Sequence, residues 1–447
     1  MCFCIARYNL KMPVIKLFVV CAFLLTVNIH GTLAAGNGKV LLVLLDGMRW
    51  DLFGLDLPNL KKVEEHGVRA EWMDGIFITF TIPSTFSIAT GVYPETHGVI
   101  HNVYFDPVTM ERTYTFQDTL NVTEWFNQGN AEPIWVTAIN QGRKAGTIQY
   151  PGCNVEINGV EPTRRVINAP WYWENYSNKQ GIDDALSWLK DDDFDTVLLY
   201  SGQPDSSLHE WGIGDPRTIE TTLGVDDDIG YLFDQLESKG LSDITDVILV
   251  SDHGHVQLDP RKSISIYDYV DPDDVHMLIA DYGPLFQLEP KEGSLNKVFQ
   301  ALEGAHPALH VFKKDDFPER LHYGPNERNL QIIGYADPNW DVYSNYSSGE
   351  YMIQGAGHGF DNNDMIMKSV FFAKGPNFRK GYRKTHFESI NVYLLMCELL
   401  GLEPSPNNGS RVNYEDMLDS NGNSERIKPN GMILFFLVTL SFLILKA

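Results

Sequence analysis

The sequence predicts an α/β fold: a mostly parallel central sheet flanked by helices, plus a smaller inserted subdomain. Three observations predict it. Four short runs, Lys39–Leu45, Asp195–Tyr200, Asp246–Ser251 and Ser369–Ala373, are nearly continuous apolar stretches rich in branched residues, as strands buried on both faces are. Stretches of helical period lie between or after them, at Leu57–His66, Thr218–Gly240 and Ile390–Leu400. Apolar residues make up 43% and aromatics 12% of 447 residues, a globular composition with length for one large domain or two ordinary ones.

In chain order, Arg7, Lys11 and Lys16 precede an apolar run, Leu17–Val27, and the small residues of Gly31–Gly36. Residues 1–35 therefore read as a secretory signal peptide, and 38–408 as the folded body. The first strand, Lys39–Leu45, stops at Asp46-Gly47, and the helix Leu57–His66 closes at Gly67. Next comes Phe77–Gly91, where Pro83 opens an apolar run (Phe86, Ile88, Ala89) that ends at Gly91. Proline is tolerated in the first helical turn, so Thr81 lies at or just before a helix N-terminus. Amide groups and the helix dipole converge there, which suits an anion such as phosphate, although Thr81 taken alone is most simply an N-cap.

Pro133–Ala138 reads as a further strand. Asp195–Tyr200 is followed by Pro204-Asp205 and His209, and Thr218–Gly240 is a helix with Leu223, Ile229, Phe233 and Leu236 inward. Asp246–Ser251 runs into Asp252-His253-Gly254. From Leu258 to Asn345, proline, charge and short runs indicate the inserted subdomain, carrying loops. The helix Ile390–Leu400 closes at Gly401, and residues 409–430 form a linker. Residues 431–447 are almost wholly apolar behind small residues and a polar spacer. This pattern fits a GPI lipid-anchor signal, and a type I transmembrane helix without a cytoplasmic tail stays open beside it. Either places the body on the extracellular face of the plasma membrane. Sequons at Asn121, Asn175, Asn345 and Asn408 agree with that route. Outside the leader only Cys153 and Cys397 remain, too few for a disulfide scaffold, and their pairing stays open.

A net charge of −24 argues against nucleic-acid binding and gives no electrostatic help to a polyanion. A zwitterionic substrate is less affected. The chemistry-bearing residues cluster by position. Asp46, Asp205 and Asp252 each follow a buried strand, and ligands of open α/β sheets bind outside the carboxyl ends of strands. His253 adjoins Asp252, His209 lies four residues after Asp205, and His358 stands in the glycine-rich Gly355–Asp361. Asp and His donors without cysteine suit Zn²⁺ at a catalytic centre, and there are enough of them for two ions. One such Asp is more often a turn residue; several at equivalent strand ends are not.

These motifs together resemble a known family. Leu44-Leu-Asp-Gly-Met-Arg49, Thr81-Ile-Pro83, Thr90–Gly98, Pro204–His209, Ser251–Gly254 and Gly357–Asp361 are similar to those of the ectonucleotide pyrophosphatase/phosphodiesterase family of the alkaline phosphatase superfamily, over almost all of Val40–Asn408. The resemblance implies an alkaline-phosphatase-like core and two Zn²⁺. Asp205, His209 and His358 would hold one ion; Asp46, Thr81, Asp252 and His253 the other. Thr81 falls on the family's nucleophile, acting through a phosphothreonine, and Asn102 on its oxyanion-stabilising residue.

Several stretches, among them Tyr150–Val155, Ala305–Lys314 and His358–Lys368, are most similar to the alkaline sphingomyelinase branch, family member seven. That branch implies choline phosphodiesters: sphingomyelin split to ceramide and phosphocholine, or lysophospholipids. Nucleotide branches carry Lys-Thr-Phe-Pro where this chain has Phe80-Thr81-Ile82-Pro83. Ile82 lacks a ring to stack on a base, a contact worth ~1–3 kcal/mol. A quaternary ammonium needs aromatic faces, and Tyr150 and Tyr172 are the candidates. Two other functions stay compatible with these residues: a nucleotide pyrophosphatase/phosphodiesterase releasing nucleoside monophosphates, and an inactive binding ectodomain. Seven intact metal positions argue against the last.

Overall fold

The structure, a computed structural model, describes residues 38–129, 131–169, 175–345 and 355–419. The signal peptide, Tyr172, the membrane-anchor segment and half of the linker lie outside them. Among the described residues no helix is long and apolar enough to cross a membrane.

An eight-stranded sheet forms the centre. Its order is Tyr382–Glu388, Val68–Asp74, Phe371–Lys374, Thr245–Val250, Lys39–Leu45, Thr196–Ser201, Ala145–Ile148, Arg164–Val166. Every pairing is parallel except the two made by Phe371–Lys374. The apolar strands are central because both of their faces are covered. Leu42 and Leu44 point into one core with the Thr81–Thr90 and Asn391–Leu400 helices, and Leu41, Val43 and Leu45 into another with Asn178–Lys190 and Pro216–Ser238. A side-chain period of two sends alternate residues to opposite sides. The inserted region holds its own antiparallel sheet, in the order Leu309–Lys313, Ile332–Ala336, Leu285–Pro290, Val275–Ile279, with its own apolar cluster.

Three sequence expectations need correction. Pro133–Ala138 is not a strand: Ile134–Asn140 is a helix, and the strand is the later Ala145–Ile148. The residues Ile134–Ala138 are all buried, and a short run buried all round has no period to separate helix from strand. The long helix spans Pro216–Ser238 and turns Thr222, Val225, Ile229, Leu232 and Leu236 inward, while Leu223 is exposed. The inserted region carries strands, not only loops, because its strand residues are interrupted by proline and charge that the turns require. Cys153 and Cys397 are both buried and unpaired.

Candidate active site

Three adjacent, parallel strands build the site. In Thr245–Val250, Lys39–Leu45 and Thr196–Ser201, Val43 lies beside both Leu199 and Leu249, so all three end at one edge of the sheet. Just beyond that edge stand Asp252, Asp46 and Asp205. The Asp205 amide donates to the Asp46 carbonyl at 3.1 Å, and the Gly47 amide to Asp252 Oδ1 at 3.1 Å. These bonds tie the three strand ends together. Asp205 opens the helix Asp205–Trp211, whose first turn brings His209 to the same side.

Thr81 is the first residue of the helix Thr81–Thr90, and Phe80 occupies the cap position, so Thr81 makes no capping bond. All ten residues of that helix are buried. Gly91 ends it at φ 72°, where a Cβ would meet Tyr393 at 2.8 Å. The helix is thus locked at both ends, and Thr81 Oγ1 stands 3.3 Å from His253 Nε2. Asn102 reaches across: its Oδ1 accepts the Ile82 amide at 2.7 Å, one of the donors that a helix start leaves without a partner. That bond orients the amide group, so Nδ2 faces Tyr282, whose hydroxyl lies 3.5 Å away.

The donor atoms fall into two groups. In the first, Asp205 Oδ1 stands 3.2 Å from His209 Nε2 and 3.6 Å from His358 Nε2, and those two nitrogens are 3.1 Å apart. In the second, His253 Nε2 stands 3.4 Å from Asp46 Oδ1, 3.3 Å from Asp252 Oδ2 and 3.3 Å from Thr81 Oγ1. A tetrahedron with metal–ligand bonds of 2.0–2.1 Å has edges of about 3.3 Å. The distances in the first group and those from His253 in the second lie near that edge. His209 Nδ1 pairs with the Ala356 carbonyl, His358 Nδ1 with that of Thr79 and His253 Nδ1 with that of Gly254, which leaves each Nε2 for a cation. Asp46 Oδ1, Asp205 Oδ1 and Asp252 Oδ2 are buried without a hydrogen bond. Burying charged oxygens this way is costly unless a cation balances them. The residues therefore fit bound metal.

The electrostatics agree. Burial, then the charges of Asp205 and Asp252, hold the Asp46 carboxyl well above its ordinary range, although the Tyr200 hydroxyl donates to its Oδ2. Burial raises Asp252 to about 7. Burial works to raise Asp205 as well, but the facing His209 and His255 outweigh it and hold that carboxyl well below the usual range. Burial pushes His253 down to about 4. The His253 and His358 rings stack 3.6 Å apart, a contact suited to neutral imidazoles.

Thr81, Asn102, Asp46, Asp205, His209 and His358 all line one cavity of about 640 Å³. Asp252 and His253 lie beneath it, fully buried. Two residues expected to contact substrate do not line it. Tyr150 is buried under the Thr81–Thr90 helix, its hydroxyl donating to the Thr85 carbonyl at 2.8 Å and its ring against Trp135. Gln149, one residue earlier, takes the place at the cavity wall. The Ile82 side chain is buried in the main core, and only its amide serves the site. Tyr172 lies outside the described residues. The four sequon asparagines are exposed. The sequence reading also missed residues: Tyr200 on Asp46, Tyr282 facing Asn102, and His255 against Asp205 at 3.1 Å. His255 follows Asp252-His253-Gly254 directly, and that proximity was the available signal.

Residues 40–361 match the family described as type I phosphodiesterase/nucleotide pyrophosphatase. Over 420 residues the chain is 39% identical to ectonucleotide pyrophosphatase/phosphodiesterase family member 7 of Homo sapiens, covering 89% of each chain. It is 32% identical over 413 residues to the bis(5'-adenosyl)-triphosphatase enpp4 of Mus musculus, covering 90% of this chain and 86% of that one. The solved structure of inactive murine ectonucleotide pyrophosphatase/phosphodiesterase 5 in complex with AMP aligns with a TM-score of 0.80 at 32% identity, over 86% of this chain and 100% of that one.

Proposed function

The chain belongs to the type I phosphodiesterase/nucleotide pyrophosphatase family and is a phosphoric diester hydrolase; on that premise we propose that it is a cell-surface enzyme that cleaves choline phosphodiesters, sphingomyelin or lysophospholipids, with two Zn²⁺ bound. The carrying observation is the chemistry of the cavity wall. Phe116, Tyr176, Tyr282 and Tyr343 present rings, Asp281 and Asp341 present carboxylates, and no lysine or arginine lines it among the described residues. Aromatic faces with nearby negative charge attract a quaternary ammonium. A nucleoside di- or triphosphate brings several negative charges, for which this wall offers no lysine or arginine, and its two histidines, His209 and His358, are taken up by the metal. Phosphocholine carries one phosphate and its own cation.

The residues then divide the work. Asp205, His209 and His358 would hold one ion, and Asp46, Thr81, Asp252 and His253 the other. When bound, the ions lower the pKa of the Thr81 hydroxyl and balance charge on the phosphoryl oxygens. The packed helix start fixes Oγ1 for in-line attack on phosphorus. The bond from Oγ1 to phosphorus forms as the bond to the lipid alcohol breaks, and the alcohol leaves with a proton. Asn102 Nδ2 donates to the oxygen on which charge grows. Water then cleaves the phosphothreonine and releases phosphocholine, restoring Thr81.

The relatives favour a second reading at one point. One is named a bis(5'-adenosyl)-triphosphatase and another is solved with AMP, so nucleotide cleavage by the same residues is the competing activity. The deciding experiment offers the zinc-loaded protein sphingomyelin, a lysophosphatidylcholine and a dinucleotide side by side. The expected result is kcat/KM higher by at least tenfold, about 1.4 kcal/mol, for a choline substrate. Preference for the dinucleotide sinks the choline reading, and no turnover of any of them favours a binding ectodomain.

A further inference from the structure

The cluster around Asp205 holds one more imidazole than the proposed sites use. His255 is fully buried, and its Nε2 lies 3.1 Å from Asp205 Oδ1. The donor atoms of Asp205, His209, His255 and His358 all lie within 4.8 Å of one another. From Asp205 Oδ1 the three nitrogens stand at 3.1, 3.2 and 3.6 Å, around the edge length of about 3.3 Å expected for a tetrahedral zinc site. We propose that His255 is a fourth protein ligand of the ion held by Asp205, His209 and His358, a role that rests on the zinc reading above and completes that ion's tetrahedron.

The chain delivers His255 by a specific route. Val256–Gln257 pairs antiparallel with Ala356–Gly357, with Gly357 opposite Val256, so His255 and His358 emerge side by side from one short ladder. Arg49 Nη1 donates to the His255 carbonyl at 2.8 Å and fixes its backbone. The ring lies against Gly47, at φ 72°, where a Cβ would come within 2.5 Å of it. A side chain at position 47 would drive the ring away from Asp205. Neither ring nitrogen of His255 makes a hydrogen bond, and Nε2 has only the Asp205 carboxylate beside it; a buried imidazole so placed is costly unless a cation takes a nitrogen.

The role has a consequence for this chain. Three protein ligands leave a zinc vertex open, and four close it. With His255 in place, a substrate oxygen reaches that ion only as a fifth donor or by displacing a ligand. His255 is the ligand to displace, because its Nδ1 lacks the carbonyl partner that holds His209 and His358.

The test is diffraction at the zinc edge from crystals of the zinc-loaded full chain. The expected result is an ion with His255 Nε2 at about 2.0–2.1 Å, together with Asp205, His209 and His358. An ion on those three residues with His255 Nε2 farther than ~3 Å overturns the inference while leaving the zinc reading intact, since the ring then only orients Asp205. An ion missing from the cluster overturns both. X-ray absorption gives a solution readout: His255→Leu should lower the mean imidazole count from about two per zinc, four rings over two ions, to about one and a half. An unchanged count in folded, fully loaded H255L refutes the assignment.

Discussion

Asn102 gives the sharpest separation of catalysis from stability. Its Oδ1 accepts the buried Ile82 amide at 2.7 Å, and its Nδ2 faces the cavity beside Tyr282. Two substitutions divide those jobs. Asn102→Asp keeps an oxygen for the Ile82 amide and replaces the Nδ2 donor with a second oxygen. Asn102→Ala removes both. Loss of one preorganised oxyanion donor costs about 2.7–4 kcal/mol, or about 10²–10³ in kcat, so both variants should fall at least that far. Because the contact tightens only as charge grows on the phosphoryl oxygens, the loss should appear in kcat more than in KM. Stability should part them: in N102A the Ile82 N–H is left buried and unpaired, at about 1–3 kcal/mol, whereas N102D keeps its acceptor. The assay is phosphocholine release at saturating substrate from zinc-loaded protein, with urea midpoints for each variant. If N102D turns over within about threefold of wild type, ~0.6 kcal/mol, the amide does not stabilise the transition state and the oxyanion assignment is wrong.

Three further outcomes are expected. Thr81→Ala should lose several orders of magnitude in turnover while the metal-free protein shifts its unfolding midpoint little, because the Thr81 hydroxyl makes no capping bond and only one 3.3 Å contact, to His253; retained turnover would falsify the nucleophile. Tyr150→Phe should leave KM for choline substrates unchanged and cost about 1 kcal/mol of stability, since the hydroxyl bonds the Thr85 carbonyl and lies away from the cavity; a raised KM would return Tyr150 to the substrate site. Burial lowers His97 and His101 from 6.5 to about 3. The unfolded chain therefore binds more protons than the folded one between those values, so their contribution is complete above pH 6.5 and is lost as pH falls toward 3, of order a few kcal/mol each. Urea midpoints from pH 7 to 4 should show a decline that His97→Gln makes shallower, and parallel curves would contradict the burial argument.

The sequence by itself determined the class of fold and which residues gather at the candidate site. Lys39–Leu45, Thr196–Ser201 and Thr245–Val250 are apolar on both faces, and only the centre of a covered sheet accommodates such strands. Since parallel strands end on the same side, Asp46, Asp205 and Asp252 were legible as neighbours before any coordinates. What it left undecided depended on direction. Tyr150 and Gln149 are adjacent, yet one is buried in the core and the other lines the cavity, and nothing local distinguishes them. Ile134–Ala138 is buried all round, so it shows no period. His255 meets His358 only through a ladder between segments 100 residues apart, Val256–Gln257 and Ala356–Gly357. Periodicity reports which residues are buried. Only the packing of distant segments decides what a buried side chain faces, and at this site that decides whether an imidazole fills core or completes a metal's shell.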